Sequence, residues 1–424
     1  MAMIDVRAYG AAGDGRSDDH AALMAALRAA HTAGGGTVFL PAGVYCVSKA
    51  VGDSRGVARV RLTGDGERAS TIKSTRDVPP IAGSWSESRI ENLILDAGSQ
   101  GSPGVVADLD KSYLRHCRIR GWSSFGIQLN PHSVGLLNWI DDNFVEQGTG
   151  CGIHTTHRFF DSWIVNNNVG STGPNVSVES GPLRIIANHL NGTPTYNIEL
   201  RGNKNLTIVA NICEGSRREA IIYTMPDWLD ADAPHVQIVG NNITNGGKQA
   251  ANSFPAIGIY ARDASHRVRG FNITGNLFAC EDEDAGWSHA VAAEFVDELS
   301  ISGNQWGDRG FAETAVRGGG GDLAVSGNTS ANIGARVVVT VSDACTLAAA
   351  PGTDYVYFLD GRSKPKLPAA QGNTARYTVK NIGDRDTLLT ATEGDTVDGA
   401  PAVALSPGAV VEVVSDGTNW QSLR

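Results

Sequence analysis

Residues 185–211 read IIANHLNGTPTYNIELRGNKNLTIVAN and contain one short phrase twice. The phrase is two or three apolar residues, a small or polar residue, and asparagine. It recurs with its last residue at Asn188, Asn211, Asn241, Asn276, Asn304 and Asn328, and towards the N terminus Asn92, Cys117, Asp142 and Asn167 hold the same position. A repeat of about 20 to 30 residues with irregular insertions indicates a solenoid, because one unit cannot bury its apolar face alone.

The repeats are built from short alternating strands and Gly/Asn turns, without a helical period. This pattern predicts an all-β chain folded as a parallel β-helix. Inward side chains then stack from rung to rung about 4.8 Å apart, and the asparagine column forms a ladder at one turn.

The N-terminal stretch, residues 9–45, reads YGAAGDGRSDDHAALMAALRAAHTAGGGTVFLPAGVY. Its apolar spacing predicts a helix with Ser17 as N-cap, Asp18 and Asp19 in the first turn, and an end at Gly34–Gly36. The stretch resembles the opening of the pectate-lyase-like superfamily of right-handed β-helix proteins, which includes phage tailspikes and polysaccharide-degrading enzymes. The resemblance implies a short capping helix on the first rung and no catalytic residue there.

The asparagine phrase stops near Arg336, and alternating strands follow to the C terminus. Residues 406–423, SPGAVVEVVSDGTNWQSL, resemble the small C-terminal β-sandwich of phage tail proteins. The resemblance implies a structural, trimerising or carbohydrate-contacting module, and hence a homotrimer. Trp420 is expected in a core or subunit interface. The predicted domains are an N-terminal cap (1–50), the β-helix (51–334) and the C-terminal β-sandwich (335–424).

Composition narrows the possible partners. The net charge of −10 argues against a nucleic-acid partner and favours a polyhydroxy ligand. The six cysteines are far apart and without a CxxC pair, so they are expected to be reduced core residues. No zinc spacing is present, and neither a metal nor another cofactor is expected. The sequence shows no membrane span and no signal peptide, so a virion- or prophage-associated or cytoplasmic location is expected.

One strand of each rung carries polar residues on its outward side. With period-two alternation, the inward residues are Ile127, Ile153, Val176, Ile198, Ile221 and Ile259. The outward residues then form two columns, Gln128, His154, Ser177, Glu199, Ile222, Tyr260 and Asn130, Thr156, Glu179, Arg201, Thr224, Arg262, Glu294. A groove along this face is the predicted polysaccharide site.

Glu179 and Glu199 are the first candidate catalytic pair, with carboxyl groups expected roughly 6–9 Å apart from the strand spacing. Inverting glycosidases hold their two carboxyl groups about 6.5–9.5 Å apart. Asp227 and Asp230 lie in the loop after Thr224 and are further catalytic candidates. Each of these acids can instead be a solvated residue, paired with Arg201 or Arg262 in the case of the strand glutamates.

The predicted substrate-binding residues are His154, Arg201, Trp228, Tyr260, Arg262 and Trp287. Loop aromatics are candidates for stacking on sugar rings, although a loop-anchoring tryptophan is an equal alternative. The acidic run 281–284 is expected to be a solvated loop rather than a calcium site.

The leading functional hypothesis is an endo-acting glycoside hydrolase of the tailspike type that uses paired carboxylates. The first alternative is a polysaccharide lyase or epimerase, which removes the C5 proton of a uronic acid with a base and neutralises the carboxylate with a cation. Arg201, Arg262, His154 and Tyr260 are the candidates for these roles. A fructan fructotransferase and a non-catalytic glycan-binding appendage are the remaining alternatives.

Overall fold

The computed structural model describes residues 3–99, 101–179, 181–202, 204–229, 234–307, 311–312, 314–318, 323–330, 337–349 and 354–423. The chain is a right-handed parallel β-helix in which three sheets form the sides of each rung. The chain consists of two compact units, residues 1–216 and 217–424. Each unit contains strands of all three sheets.

In the first unit, successive rungs each add one strand to each sheet, and neighbouring strands are parallel. The first sheet contains Met3–Asp5, Gly36–Leu40, Val60–Gly64, Arg89–Glu91, Tyr113–Arg115, Trp139–Asp141, Ser162–Val165, Leu183–Ile186 and Leu206–Val209. The second contains Asp14–Asp18, Gly43–Val47, Ser70–Ser74, Ile94–Asp96, Arg118–Arg120, Phe144–Val145, Asn168–Gly170, His189–Asn191 and Ile212–Glu214. The third contains Val57–Ala58, Ile81–Ser86, Val105–Asp110, Phe125–Leu129, Cys151–Thr155, Val176–Val178 and Ile198–Arg201. Two short strands, Gly135–Leu136 and Phe159–Phe160, pair outside these sheets.

The second unit repeats this arrangement. Its first sheet contains Val236–Val239, Val268–Thr274, Val296–Ser302 and Leu323–Ser326, and its second contains Asn242–Thr244, Leu277–Ala279, Gln305–Trp306 and Thr329–Ser330. Its third sheet contains Ile221–Thr224, Ile257–Tyr260, Val291–Glu294, Val316–Gly318, Val337–Val341, Asp354–Leu359, Arg376–Asn381, Val410–Ser415 and Trp420–Ser422.

The core is made by the inward residues of the three sheets. All six positions that alternation predicts to face inward on the third sheet are at most 1% exposed. All six cysteines are reduced, and five of them are buried, as predicted for core residues. Burial raises the pKa of the Cys117 thiol to about 12, so the thiol stays protonated and behaves as an apolar core group.

The asparagine column forms the predicted ladder at the turn between the first and second sheets. In the first unit, the Oδ1 atoms of Asn167 and Asn188 each accept the backbone N–H of the ladder residue one rung earlier, at 3.0 and 2.9 Å. The second unit contains the same ladder from Asn241 to Asn328. These bonds satisfy buried backbone groups that the tight turn leaves without a strand partner.

Two sequence assignments in the ladder are wrong by one residue. The ladder position is held by Asn143, whose Oδ1 accepts the Cys117 backbone N–H at 3.1 Å, and not by Asp142. Asp142 and Asn92 occupy the preceding position, with φ of 51° and 59°. Asparagine and aspartate tolerate this left-handed conformation better than most residues. Because such residues suit both the ladder position and the one before it, the sequence did not distinguish the two positions.

The capping helix spans His20–Thr32 and buries Leu23, Ala26, Leu27 and Ala30, as the apolar spacing predicts. The prediction of Ser17 as N-cap is wrong, because Asp14–Asp18 forms a strand of the second sheet. Asp19 is the N-cap residue, but its carboxylate accepts the backbone N–H groups of Ala12 and Gly13 at 2.6 and 3.1 Å. The acidic residue therefore fixes the Gly-rich turn rather than the helix end.

Near the C terminus the pairing changes from parallel to antiparallel. The third sheet stays parallel through Arg376–Asn381, and Val410–Ser415 then pairs with that strand in the opposite direction. A separate small sheet, apart from the three sheets of the β-helix, contains Cys345–Thr346, Pro365–Lys366, Thr387–Thr390 and Ala402–Leu405. Parallel pairing thus continues past residue 334, and the domain division at 335 stays a prediction.

Trp420 lies in the core of this C-terminal region, as predicted. It is fully buried, packs edge-on against Tyr377 with ring centroids 5.2 Å apart, and donates its indole N–H to the carbonyl oxygen of Pro368. A tryptophan held in this way does not stack on sugar. None of the helices in the described ranges is long and apolar enough to span a membrane.

Candidate functional site

The polar column predicted on the third sheet exists in the first unit with the predicted register. Gln128 pairs with His154, His154 with Ser177, and Ser177 with Glu199. Because these residues alternate with fully buried ones, their side chains share the outward face at one strand spacing from each other. Glu179 and Arg201 directly follow the next two paired positions, Val178 and Leu200.

His154 lies at the centre of this group and is half-buried. Its ring stacks on Phe125 with centroids 4.8 Å apart and an interplanar angle of 25°. Burial lowers the pKa of His154 below its usual 6.5, while the carboxylates of Glu179 and Glu199 act in the opposite direction. The imidazole is therefore neutral at neutral pH and has two carboxylates near enough to stabilise a proton that it accepts.

The two carboxylates around His154 have different partners. Glu199 Oε2 accepts the hydroxyl of Ser177 at 2.8 Å. Glu179 Oε1 lies 3.7 Å from the guanidinium of Arg201, and the Arg201 side chain is 50% exposed. This is the ion pair that the sequence offered as the alternative to a catalytic Glu179. A long, half-exposed pair of this kind is weak, so an anionic ligand can compete for Arg201.

In the second unit the predicted register of the third sheet is wrong by two residues. Ile221 pairs with Ile257, and Thr224 pairs with Tyr260, which in turn pairs with Glu294. Tyr260 therefore shares its column with Glu294, where the sequence alignment placed Arg262. A two-residue slip keeps every inward residue inward, so the alternation gives no signal against it.

A second cluster of ionisable groups surrounds Tyr260. Its hydroxyl donates to Glu219 Oε1 at 3.4 Å, and Glu219 is only 3% exposed. The other carboxyl oxygen of Glu219 lies 3.5 Å from Arg218 Nε, and among the described residues it accepts no hydrogen bond. Burial raises the pKa of Glu219 above its usual range, which favours the protonated acid.

Gly258 makes the contact between Tyr260 and Glu219 possible. A Cβ at position 258 would lie 2.7 Å from Tyr260 Cε2 and 2.8 Å from its hydroxyl oxygen, so the ring lies back over the glycine. One rung further along, Glu294 is 3.7 Å from the guanidinium of Arg317. The cluster therefore holds a buried carboxyl group with a raised pKa, a phenol and an ion-paired carboxylate.

Sequence reasoning missed Glu219 and Arg317 as site residues. Glu219 lies two residues before the inward Ile221, so the alternation predicts that it is buried. A buried ionisable residue is a signal for a functional site, and this signal was present in the sequence. Arg317 had no comparable signal, because its place beside Glu294 depends on the register of the strands.

The loop after Thr224 is held by Arg262. One guanidinium nitrogen, Nη2, donates to the carbonyl oxygens of Pro226, Asp227 and Leu229 at 2.9, 2.5 and 2.8 Å. Arg262 thus anchors the loop rather than presenting its charge to a substrate, which corrects its predicted role. The loop exposes Asp227 and 69% of Trp228, so both stay predicted site residues, whereas Asp230 lies outside the described residues.

Trp287 is not available for sugar stacking, contrary to the prediction. It is 2% exposed, and Gly247 packs against Gly286 and the Trp287 ring so closely that a Cβ there would lie 2.2 Å from the Gly286 carbonyl oxygen. The insertion that carries Trp287 folds inward, and the tryptophan anchors it.

The acidic run 281–284 behaves as a solvated loop with a counter-ion. Lys248 Nζ lies 2.6 Å from Asp282 and 3.4 Å from Asp284. Within the described part of the chain, no three His, Cys, Asp or Glu side chains are grouped so as to hold a metal ion.

The burial of Glu219 gives a testable pH dependence of stability. Its carboxyl pKa is higher in the folded than in the unfolded chain, so the folded chain binds more protons above pH 4.5, the usual pKa of Glu. The stability that the protonated Glu219 contributes is therefore lost as pH rises. In urea unfolding at several pH values, the free energy of unfolding of Glu219→Gln should rise relative to that of wild type as pH increases from 4.5 to 8. A difference in unfolding free energy between the two proteins that stays constant with pH would contradict the raised pKa of Glu219.

Comparisons with known proteins agree with the fold. Residues 3–93 match the family described as rhamnogalacturonase A/epimerase, pectate lyase-like, which confirms the N-terminal resemblance. The solved A-module of mannuronan C-5 epimerase AlgE6 from Azotobacter vinelandii aligns with a TM-score of 0.58 and 22% identity, over 77% of this chain and 99% of that chain. A tailspike protein of E. coli bacteriophage HK620 aligns with a TM-score of 0.55 and 13% identity, over 89% and 81%. At these identities the alignments show the fold alone.

Curated relatives cover smaller parts of the chain. Mannuronan C5-epimerase AlgE2 of Azotobacter vinelandii is 34% identical over 158 residues, which are 31% of this chain and 16% of that protein. AlgE4 of the same organism is 31% identical over 189 residues, 38% of this chain and 34% of that protein. Alginate lyase 7 is 45% identical over 73 residues, 16% of this chain and 8% of that protein. The matched region therefore spans about a third or less of each of these relatives.

Proposed function

We propose that this chain, a parallel β-helix of the pectate-lyase-like type, is an enzyme that acts at C5 of uronic acid residues in an acidic polysaccharide. The observation that carries the proposal is the half-buried His154, whose pKa burial lowers, on a face that also carries the carboxylates of Glu179 and Glu199 and the loosely paired Arg201. Its partial relatives named C5-epimerases and alginate lyase support the substrate class.

Removing the C5 proton of a uronate needs a base and a positive charge. The proton is acidic only when the adjacent carboxylate is neutralised, because the carbanion that forms delocalises its charge into that group. A base is most effective when its pKa lies near the working pH and it is unprotonated at rest. The first-unit cluster supplies both groups from the outward face of one sheet.

His154 is the proposed base. Burial against Phe125 keeps the imidazole neutral, so it can accept the proton. The carboxylates of Glu179 and Glu199 then stabilise the imidazolium, because opposite charges at short range favour the charged form. The hydroxyl of Ser177 fixes the carboxylate of Glu199 in place.

Arg201 is the proposed partner of the substrate carboxylate. Its guanidinium is always charged and can bind a carboxylate through two parallel hydrogen bonds. At 3.7 Å the contact with Glu179 is longer than a good charge-assisted hydrogen bond, so a uronate can displace it at little cost.

The carbanion that forms when the C5 proton is removed can react in two ways. In epimerisation, a proton returns to C5 from the opposite face of the sugar ring and no bond in the chain is broken. In elimination, the C4–O bond breaks, the leaving oxygen takes a proton, and a C4=C5 double bond forms. The proposal covers both outcomes, since both begin with loss of the C5 proton.

A polymer panel tests the proposal. Polymannuronate, polyguluronate, polygalacturonate and a neutral glucan are incubated with the protein in deuterated water, and the products are read by proton NMR and ultraviolet absorbance. Deuterium at C5 or an unsaturated chain end is expected with a uronate polymer only. Absence of both signals from every uronate polymer, while the chain binds one of them, would favour the non-catalytic appendage and contradict the proposal.

The charges around His154 predict opposite shifts of its pKa in two variants. Glu199→Gln removes a carboxylate that raises the pKa of His154, so the pKa should fall further. Arg201→Gln removes a cation that lowers it, so the pKa should rise. An NMR titration of the His154 ring protons measures both, with His157, exposed on the following turn, as internal reference. Shifts of the same sign in the two variants would exclude this arrangement.

A glycoside hydrolase is the second candidate, and Glu219 is the observation that favours it. A hydrolase needs one protonated carboxyl group and one ionised partner. Glu219 has a raised pKa, and Glu294 pairs with Arg317 on a strand of the same sheet. New reducing ends without an unsaturated product would support this candidate. Glu219→Gln should then abolish them, whereas Glu298→Gln, an exposed glutamate, should not.

A further inference from the structure

We propose that a cationic groove in the C-terminal part of the second unit is a separate binding site for a carboxylated saccharide chain. The groove consists of two adjoining cavities of about 440 Å³ and 290 Å³ that share Lys364 and Thr390. The first is also lined by Arg267, Asp297, Ala344, Cys345, Thr346 and Lys366, and the second by Gly361, Arg362, Ser363, Asp386, Thr387 and Leu388.

The positively charged residues of the groove differ in whether a carboxylate lies close enough to balance them. Arg267 is fixed by Asp297 and Asp343, whose oxygens lie 2.9 and 2.7 Å from its guanidinium nitrogens. Lys364 and Lys366 flank Pro365 and have no carboxylate within 4.0 Å among the described residues. In a chain with a net charge of −10, two lysines without a carboxylate partner in one cavity are a local excess of positive charge.

Lys366 is half-buried, which makes an anionic ligand favourable. A half-buried lysine packs its alkyl stem while its ammonium group stays accessible, so a bound anion meets a charge that is already positioned. Lys364 is exposed and two residues away, so both ammonium groups can contact one elongated anion.

The second cavity adds a buried polar group. Ser363 is 2% exposed, and its hydroxyl has no hydrogen-bond partner in the described part of the chain. A buried hydroxyl without a partner is uncommon in folded proteins, and a ligand oxygen is one way to satisfy it. A saccharide supplies hydroxyl groups for Ser363 and carboxylates for the lysines along one chain.

A uronate chain fits these groups better than a nucleic acid. None of the lining residues is aromatic, so the groove offers no surface on which a base would stack. The choice of a uronate over another acidic sugar rests on the proposed function. On that basis the groove binds the same class of polymer as the proposed active site.

Direct binding tests the groove. Uronate hexasaccharides, neutral glucan hexasaccharides and a single-stranded oligonucleotide are titrated into the full chain by calorimetry. The Lys364→Gln/Lys366→Gln double variant should lose about tenfold in uronate affinity at the groove, or about 1.4 kcal/mol. Lys380→Gln, an exposed lysine on the strand Arg376–Asn381, is the matched control and should bind like wild type.

Uronate binding at the groove can be measured independently of chemistry at C5. Arg201→Gln removes binding at the candidate active site, so the uronate binding that remains in this variant reports the groove alone. Loss of that binding on adding the lysine substitutions supports the groove even when no C5 chemistry is found. Unchanged uronate affinity, equal affinity for the neutral glucan, or tighter binding of the oligonucleotide would overturn the inference.

Discussion

His154→Ala is expected to lower kcat/KM on the uronate polymer by about 10²- to 10⁴-fold, which is the usual contribution of a positioned general base. The imidazole is the one group in the first-unit cluster that burial holds neutral beside carboxylates able to stabilise its protonated form. Initial rates from C5 deuterium exchange or from the unsaturated product measure the loss. Substrate binding should change little, since Arg201 remains.

The control for this variant lies three residues further along the chain. His157 is exposed in the turn after the strand Cys151–Thr155, and His157→Ala should keep the wild-type rate. His154→Gln keeps a polar side chain of similar length beside Phe125, and separates loss of the base from loss of packing. A rate for His154→Gln within a factor of three of wild type would rule out His154 as the base.

Asn188→Ala is expected to destabilise the first unit by about 2–3 kcal/mol, since a buried polar group left unsatisfied costs about 1–3 kcal/mol. The Asn188 side chain accepts the backbone N–H of Asn167 at 2.9 Å and its amide at 3.0 Å. It also donates to the carbonyl oxygens of Ile164 and Ile186 at 2.9 and 3.1 Å. Alanine leaves the backbone N–H of Asn167 without its acceptor, whereas the Ile186 carbonyl still accepts the Asn166 N–H and the Asn167 amide still donates to the Ile140 carbonyl.

The comparison for the ladder is a neighbouring asparagine that is not part of it. Asn166 is exposed with φ of 56°, a conformation that glycine also adopts, so Asn166→Gly should change stability by less than about 1 kcal/mol. Urea unfolding followed by circular dichroism measures both variants. Equal stability of Asn188→Ala and Asn166→Gly would show that the ladder contributes little.

Much of the fold follows from local rules that act within one rung. The asparagine phrase and the alternation of apolar residues predicted the β-helix, the ladder and the inward positions of the third sheet. The register of the first unit was also predictable, because the rungs between Gln128 and Glu199 differ little in length and the common phrase aligns them.

Other features depend on contacts between distant residues. The sequence places Ile259 inward correctly, but the structure pairs it with Tyr223 rather than Ile221, after loops of variable length. That pairing brings Tyr260 into the column of Glu294 and over Gly258, where it reaches Glu219. The burial of Trp287 and the loop contacts of Arg262 likewise arise from how the insertions fold.

The sequence by itself determined that this chain is a parallel β-helix and which side of each strand faces the core, because hydrophobic burial acts at every second residue. The tertiary structure alone decided which ionisable groups meet in the second unit, since a two-residue slip leaves the apolar pattern unchanged but replaces every neighbour on the outward face. Burial, which depends on how the surrounding segments pack, lowers the pKa of His154 and raises that of Glu219, and the carboxylates near His154 and Arg218 near Glu219 oppose these shifts.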